Sequence, residues 1–206
     1  VDLSAIVTMA DDGGSTGVLR HELGVLPPGD VRQCLVALSE APETLRDLFL
    51  YRFESGTLAG HNFGNLFLSA MEKVTGHFED AVLMAGRILN IKGRVIPVST
   101  EPMTLVAEYE DGRVVVGEHN IEAGGTLSVP IATLSIGGNA KRSQGHDESG
   151  TLSVPMPTLS VVGKIKKLSL EYEVHATFAA VNAIMEADLV ILSAGDLYTS
   201  LIPNLL

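Results

Sequence analysis

The apolar, β-branched run Val1-Asp-Leu-Ser-Ala-Ile-Val-Thr-Met-Ala10 has no helical period, and it empties directly into Asp11-Asp-Gly-Gly-Ser-Thr-Gly17. Such a run reads as a buried strand delivering a polar, glycine-rich loop. Together with the strand–helix–strand run near the end of the chain, it points to an α/β sheet. In these sheets ligands gather beyond the carboxyl ends of the strands, where loops and helix N-termini expose unpaired N–H groups.

The rest of the chain supplies the covering elements. Apolar residues recur at spacings of three and four over Val31 to Ala41, Glu43 to Phe53, Asn62 to Thr75 and Phe78 to Asn90, so four successive helices are predicted. Gly93 to Ser99, Thr104 to Glu110 and Arg113 to Gly117 read as strands, the last two joined by the Asp111-Gly112 hairpin signal. Lys164 to Leu170, Val174 to Ala187 and Asp188 to Leu192 read as strand, helix and buried strand, a βαβ unit that opens on the loop Ser193 to Ser200. The predicted class is a Rossmann-like α/β fold, with a largely parallel sheet, helices on both faces and one antiparallel hairpin. At 206 residues the chain is about one and a half times a typical domain, consistent with one domain carrying an addition. That addition is visible: Gly125 to Gly138 is echoed by Gly150 to Gly163, so 125–163 is read as a duplicated insert, either a hairpin or disordered. Two copies are too few for a solenoid.

Composition excludes several functions. Apolar residues at 46% and charged residues at 19% argue against a disordered chain. No apolar run is long enough to span a bilayer. The formal net charge of −11 repels phosphate backbones, so nucleic acid is not expected as a partner. The single Cys34 sits in a helical run and is expected to be a buried small residue, in keeping with a reduced, cytoplasmic setting.

Two loops offer chemistry. In the first, Asp11 and Asp12 can hold Mg²⁺ or accept from sugar and base donors, while Gly13, Gly14 and Ser15 let an anion approach the backbone; a surface turn with an Asp cap explains the same residues. In the second, Gly195, Asp196, Tyr198, Thr199 and Ser200 could bind phosphate or stack on a ring, or simply start an Asp-capped helix. Between them, Gly60-His-Asn-Phe-Gly-Asn65 opens a helix: Asn62 or Asn65 can cap it or touch a ligand, and His61 suits proton transfer near neutrality. Leu26-Pro-Pro-Gly-Asp30 is a rigid turn that makes Asp30 an N-cap by default, with reach to the site. Glu108, Glu110 and Glu118 fall on alternate positions of the predicted hairpin, as a solvated face would.

Taken together, Ala10-Asp-Asp-Gly-Gly-Ser-Thr-Gly17, Leu26-Pro-Pro-Gly-Asp30, Gly60-His-Asn-Phe-Gly-Asn-Leu66, Lys92-Gly-Arg-Val-Ile-Pro97, Glu110-Asp-Gly112, Ala187-Asp-Leu-Val-Ile-Leu192 and Asp196-Leu-Tyr-Thr-Ser-Leu-Ile-Pro-Asn-Leu205 resemble the gluconeogenesis-factor (YvcK-like) family, itself related to 2-phospho-L-lactate transferase. The resemblance implies a cytoplasmic protein that binds a nucleotide or a nucleotide-sugar such as a UDP-sugar and regulates carbon metabolism and cell shape, with homo-oligomers possible. The alternative it carries is a transferase that passes a phospholactyl group to a deazaflavin with Mg²⁺. By motif, Asp11 and Asp12 would form the acidic, metal-holding loop, Asp30, His61, Asn62 and Asn65 would line the same cleft, and Gly195 to Ser200 would face phosphate. The resemblance also implies a domain incomplete at both ends, since relatives begin with an earlier strand and glycine loop and continue past Leu206.

Overall fold

A computed structural model describes residues 2–124, 163–192 and 196–206. The insert predicted over 125–163, apart from Gly163, lies outside the described residues, as does Gly195.

Strand β1 (Ser4–Val7) pairs in parallel with β2 (Arg94–Pro97), with Ser4 opposite Arg94 and Val7 opposite Pro97. Between them in sequence run five helices: α1 (Gly14–Leu23), α2 (Gly29–Ala37), α3 (Glu43–Leu50), α4 (Phe63–Thr75) and α5 (Phe78–Ile88). The helix α2 packs on both strands and α5 packs on β2, while α4 lies against α1, α2, α3 and α5. One core results, with Met9, Val31, Leu35, Phe49, Leu68 and Leu89 at its centre. The second sheet is antiparallel, in the order β4 (Val114–Val116), β3 (Leu105–Tyr109), β5 (Ile165–Leu170). Asp111-Gly112 makes the β3–β4 turn as predicted, with Gly112 at φ 87° and its N–H donated to Tyr109 O. The alternation of buried and half-buried residues along β3 shows why one face of this sheet joins the core. A short helix α6 (Glu118–Glu122) follows β4, α7 (Phe178–Met185) follows β5, and a π-helical turn, Leu197–Leu201, precedes a 3₁₀ turn, Ile202–Asn204.

The predicted α/β class holds: parallel pairing with covering helices, and a hairpin that β5 extends to three antiparallel strands. Four details differ. Strand β5 pairs antiparallel with β3, so it does not open a βαβ unit. The run Asp188 to Leu192 forms no strand, and Leu189, Ile191 and Leu192 are 68–73% exposed. A β-rich sequence describes side chains that suit a pleated surface, but the backbone becomes a strand only where an edge accepts its hydrogen bonds. Helix α1 begins inside the segment read as a loop, and α6 starts directly after the predicted strand Arg113 to Gly117, taking in Glu118, which the sequence pattern places on the hairpin face. Both are too short or too polar to show a period.

The side chain of Leu68 on α4 is fully buried in the core. Leu68→Ala in the full-length protein is expected to lower stability by about 2–5 kcal/mol, through lost transfer energy and a residual cavity. Chemical denaturation followed by circular dichroism measures it.

Candidate functional site

The loop after β1 is held at both of its carboxylates. Asp11 Oδ1 accepts from Gly13 N at 3.0 Å, while the Asp11 carbonyl accepts from Arg20 Nη1 at 2.9 Å. Arg20 Nη2 also donates to Met103 O, which ties the loop to the segment before β3. Asp12 reaches across the chain: Oδ1 accepts from His119 N at 2.8 Å and Oδ2 from Glu118 N at 3.1 Å. It therefore caps α6, satisfying two N–H groups that a helix start leaves orphaned. Helix α1 opens at Gly13 with no side-chain cap, so its own first-turn N–H groups are not taken by a capping side chain.

Helix α4 points its N-terminus at α1. Asn62 Oδ1 accepts from Asn65 N at 3.2 Å as the N-cap, and Asn62 Nδ2 donates to Leu50 O at 2.9 Å. Ser15 Oγ lies 3.2 Å from His61 Nδ1 and accepts from Asn62 N at 3.4 Å. Asn65 bridges two helices, its Oδ1 accepting from Arg32 Nε at 2.9 Å and its Nδ2 donating to Thr16 Oγ1 at 3.4 Å. Both asparagines are buried, and these bonds hold the helix ends in register.

Asp30 lies in the first turn of α2, where Pro28 is the N-cap residue, so the cap predicted for Asp30 is corrected. Proline fixes the turn there, and the Asp30 carboxylate accepts from Gln33 Nε2 at 3.4 Å. Gly29 permits a close approach: a Cβ there would overlap Asp11 Oδ2 and come within 2.8 Å of Thr16 Oγ1. Burial, then Asp11 and Glu122 nearby, raise Asp30 from 3.8 to about 6, with Arg32 opposing. Glu118 is half-buried in α6 and is not part of a solvated strand face; burial, then a hydrogen bond and repulsion from Glu122, with Asp11 and Asp12 adding, raise it to about 8. Five carboxylates thus share one field.

The second loop joins the first through α6. Asp196 Oδ1 accepts from Tyr198 N at 3.0 Å and Thr199 N at 3.4 Å, the Asp-capped start that the sequence allowed. Buried Thr199 donates its hydroxyl to Glu122 Oε1 at 3.0 Å, Ser200 O accepts from Asn204, and the ring of Tyr198 is partly exposed. Sequence reasoning missed Arg32, Glu118, Glu122 and Thr16; only Gly117 before an acidic residue hinted at a helix start near Asp12. A separate groove of about 520 Å³ between α5 and β2, walled by Leu83, Ile91 and Val95, holds none of the predicted site residues.

The family model described as 2-phospho-L-lactate transferase CofD matches residues 1–206. This chain belongs to the CofD family. A homologue from Nostoc sp. is 42% identical over 206 residues, spanning 100% of this chain and 37% of its own length. The gluconeogenesis factor of Bacillus subtilis is 40% identical over 208 residues, spanning 100% of this chain and 54% of that protein. The crystal structure of a UPF0052-family protein from Bacillus halodurans superposes with a TM-score of 0.78 at 38% identity, covering 100% of this chain and 55% of that one. The CofD-family chain therefore spans about half the length of these relatives, or less. No helix among its described residues is long and apolar enough to cross a membrane.

Because the folded pKa of Glu118 is raised from 4.5 to about 8, the folded state binds more protons than the unfolded chain between those values. Stability therefore falls as pH rises through that window, with Asp30 contributing between 3.8 and about 6. Glu118→Gln is expected to flatten the decline of Tm between pH 6 and 8 in thermal melts. Parallel curves for the two proteins would refute the assignment.

Proposed function

We propose that this chain supplies the cleft by which a gluconeogenesis-factor-type regulator binds a nucleotide-sugar, with a UDP-sugar as the ligand. The observation that carries the reading is the meeting of α1's N-terminus, left without a side-chain cap, with the carboxylates of Asp11 and Asp30 and the His61–Ser15 pair. Backbone N–H groups at a helix start take phosphate oxygens. Carboxylates accept from ribose and sugar hydroxyls, which is chemistry a nucleotide-sugar presents and a nucleic acid does not require. Asp12, Asn62, Asn65 and Thr199 then act by position, since their polar groups are spent on the helix ends that build the cleft. The likeness to a gluconeogenesis factor supports the regulatory reading, in a cytoplasmic setting.

A second reading, a transferase acting on a deazaflavin, has its own support in the family's description and in the carboxylate field. Among the described residues no three His, Cys, Asp or Glu side chains group to hold a metal. Mg²⁺ is commonly held by one or two carboxylates, with water and phosphate oxygens completing its shell. The donor chemistry of Asp11 and Asp12 fits that pattern, and a magnesium ion there would neutralise phosphate charge. Asp11 would be the freer ligand, since both oxygens of Asp12 already accept from α6.

Calorimetry of the full-length protein separates the two. A UDP-sugar is expected to bind without Mg²⁺, and Asp11→Asn to weaken it by about tenfold, in line with loss of a charge-assisted hydrogen bond. No heat with UDP-sugars, together with Mg²⁺-dependent heat from a deazaflavin, would replace the regulator with the transferase.

A further inference from the structure

Arg32 is a charged side chain that the fold buries without neutralising. It is only 7% exposed, yet no carboxylate lies within ion-pair distance of it among the described residues. Among the described residues, its side chain makes one hydrogen bond, from Nε to Asn65 Oδ1 at 2.9 Å. The two terminal nitrogens have no partner among the described residues, and neither is sealed away from solvent. A buried charge in this state is costly unless something pairs with it.

Its position is built rather than incidental. Gly64, on the first turn of α4, leaves room for the arginine stem: a Cβ there would lie 2.6 Å from Arg32 Cδ, 2.9 Å from Cγ and 2.6 Å from Phe49 O. The guanidinium therefore sits against the first turn of α4, at the positive end of that helix. Arg52 adds a second cation. Its backbone bridges Asn62 and its Nη1 donates to Gly60 O at 2.6 Å. Burial first, then Arg52, push the Arg32 guanidinium below its usual range, while Asp30 and Asp11 act in the opposite sense from beyond contact distance. Gathering two guanidiniums at the positive end of a helix is unfavourable in an empty cleft and favourable around an anion.

We propose that Arg32, with Arg52 beside it, forms a fork that takes a phosphoryl group between the N-termini of α1 and α4. The planar guanidinium offers two parallel donors to two phosphate oxygens, with its stem already fixed. The inference deepens the nucleotide-sugar reading, since such a ligand carries two linked phosphates, but the fork is defined by its own geometry. Asn65 is the positioning residue: it holds Nε and leaves the terminal nitrogens without a protein partner among the described residues.

The test is a thermal-shift and calorimetric comparison of full-length wild type, Arg32→Gln and Arg52→Gln. The probes are inorganic pyrophosphate, a UDP-sugar, uridine and succinate at equal ionic strength. Glutamine retains an N–H donor and part of the stem but no charge. The fork requires pyrophosphate to bind wild type, to weaken by about tenfold or more in Arg32→Gln, and to weaken by a smaller factor in Arg52→Gln. A structural clamp between α2 and α4 would instead lower the Tm of Arg32→Gln and leave pyrophosphate affinity unchanged, which overturns the proposal. If Arg32→Gln does not fold, Arg52→Gln decides, because Arg52 is exposed; unaltered affinity there overturns the proposal equally. Succinate binding as tightly as pyrophosphate would also overturn it. Arginine-dependent pyrophosphate binding without UDP-sugar binding would leave the fork standing and remove the nucleotide-sugar reading, and uridine binding alone would remove the fork.

Discussion

The carboxylate of Asp12 holds together two parts of the fold that the sequence keeps more than a hundred residues apart. Its two oxygens accept from the N–H groups of Glu118 and His119, so the loop leaving β1 becomes the cap of α6. Because α6 follows β4 directly, this contact docks the antiparallel sheet against the parallel pair. It also sets the electrostatics. Pinning α6 there brings Glu118 and Glu122 toward Asp11 and Asp30, and burial first, with mutual repulsion adding, raises both Asp30 and Glu118.

A cleft assembled this way is made of helix beginnings. The helices α1, α4 and α6 all start at it, and three polar side chains, Asp12, Asn62 and Asn65, fix their relative positions through backbone or side-chain bonds. Helix starts supply N–H groups and a positive potential, and the carboxylates supply acceptors. The cleft therefore has two poles: carboxylates gathered toward α6, and the guanidiniums of Arg32 and Arg52 at α4. The proposed nucleotide-sugar, with hydroxyls at one end and phosphates at the other, would offer a partner to each pole, whereas a polyanion would meet repulsion at one of them. The formal net charge of −11 does not show this local placement of opposite charges.

Burial rather than reactivity explains several residues that draw the eye in the sequence. Cys34 sits half-buried in α2, where burial first and Asp30 second push its thiol up, so it behaves as a small packing residue and not as a nucleophile. Asn62 is almost fully buried as a cap, with its amide spent on Leu50 O. Asp196 serves the π-helical turn. Among the described residues, Asp11 Oδ2 and the two terminal nitrogens of Arg32 make no hydrogen bond.

Local pattern in the sequence determined the helices over 43–50, 63–75 and 78–88, the Asp-Gly hairpin and the strand that delivers the acidic loop, because apolar period and turn chemistry act over a few residues. That Asp11, Asp12, Asp30, His61, Asn62 and Asn65 line one cleft is implied by the resemblance to a known family, not by local pattern, and neither says what each one touches. Tertiary structure decided the rest. Whether Asp188 to Leu192 becomes a strand depends on a free edge, which side-chain character does not encode. Glu118 reads as a surface residue until α6 is pinned by Asp12, and Arg32 reads as an ordinary polar position on an amphipathic helix until Gly64 opens a space for it. Each of these outcomes turns on a partner distant in sequence, and burial, charge and hydrogen bonding take their values only once that partner is in place.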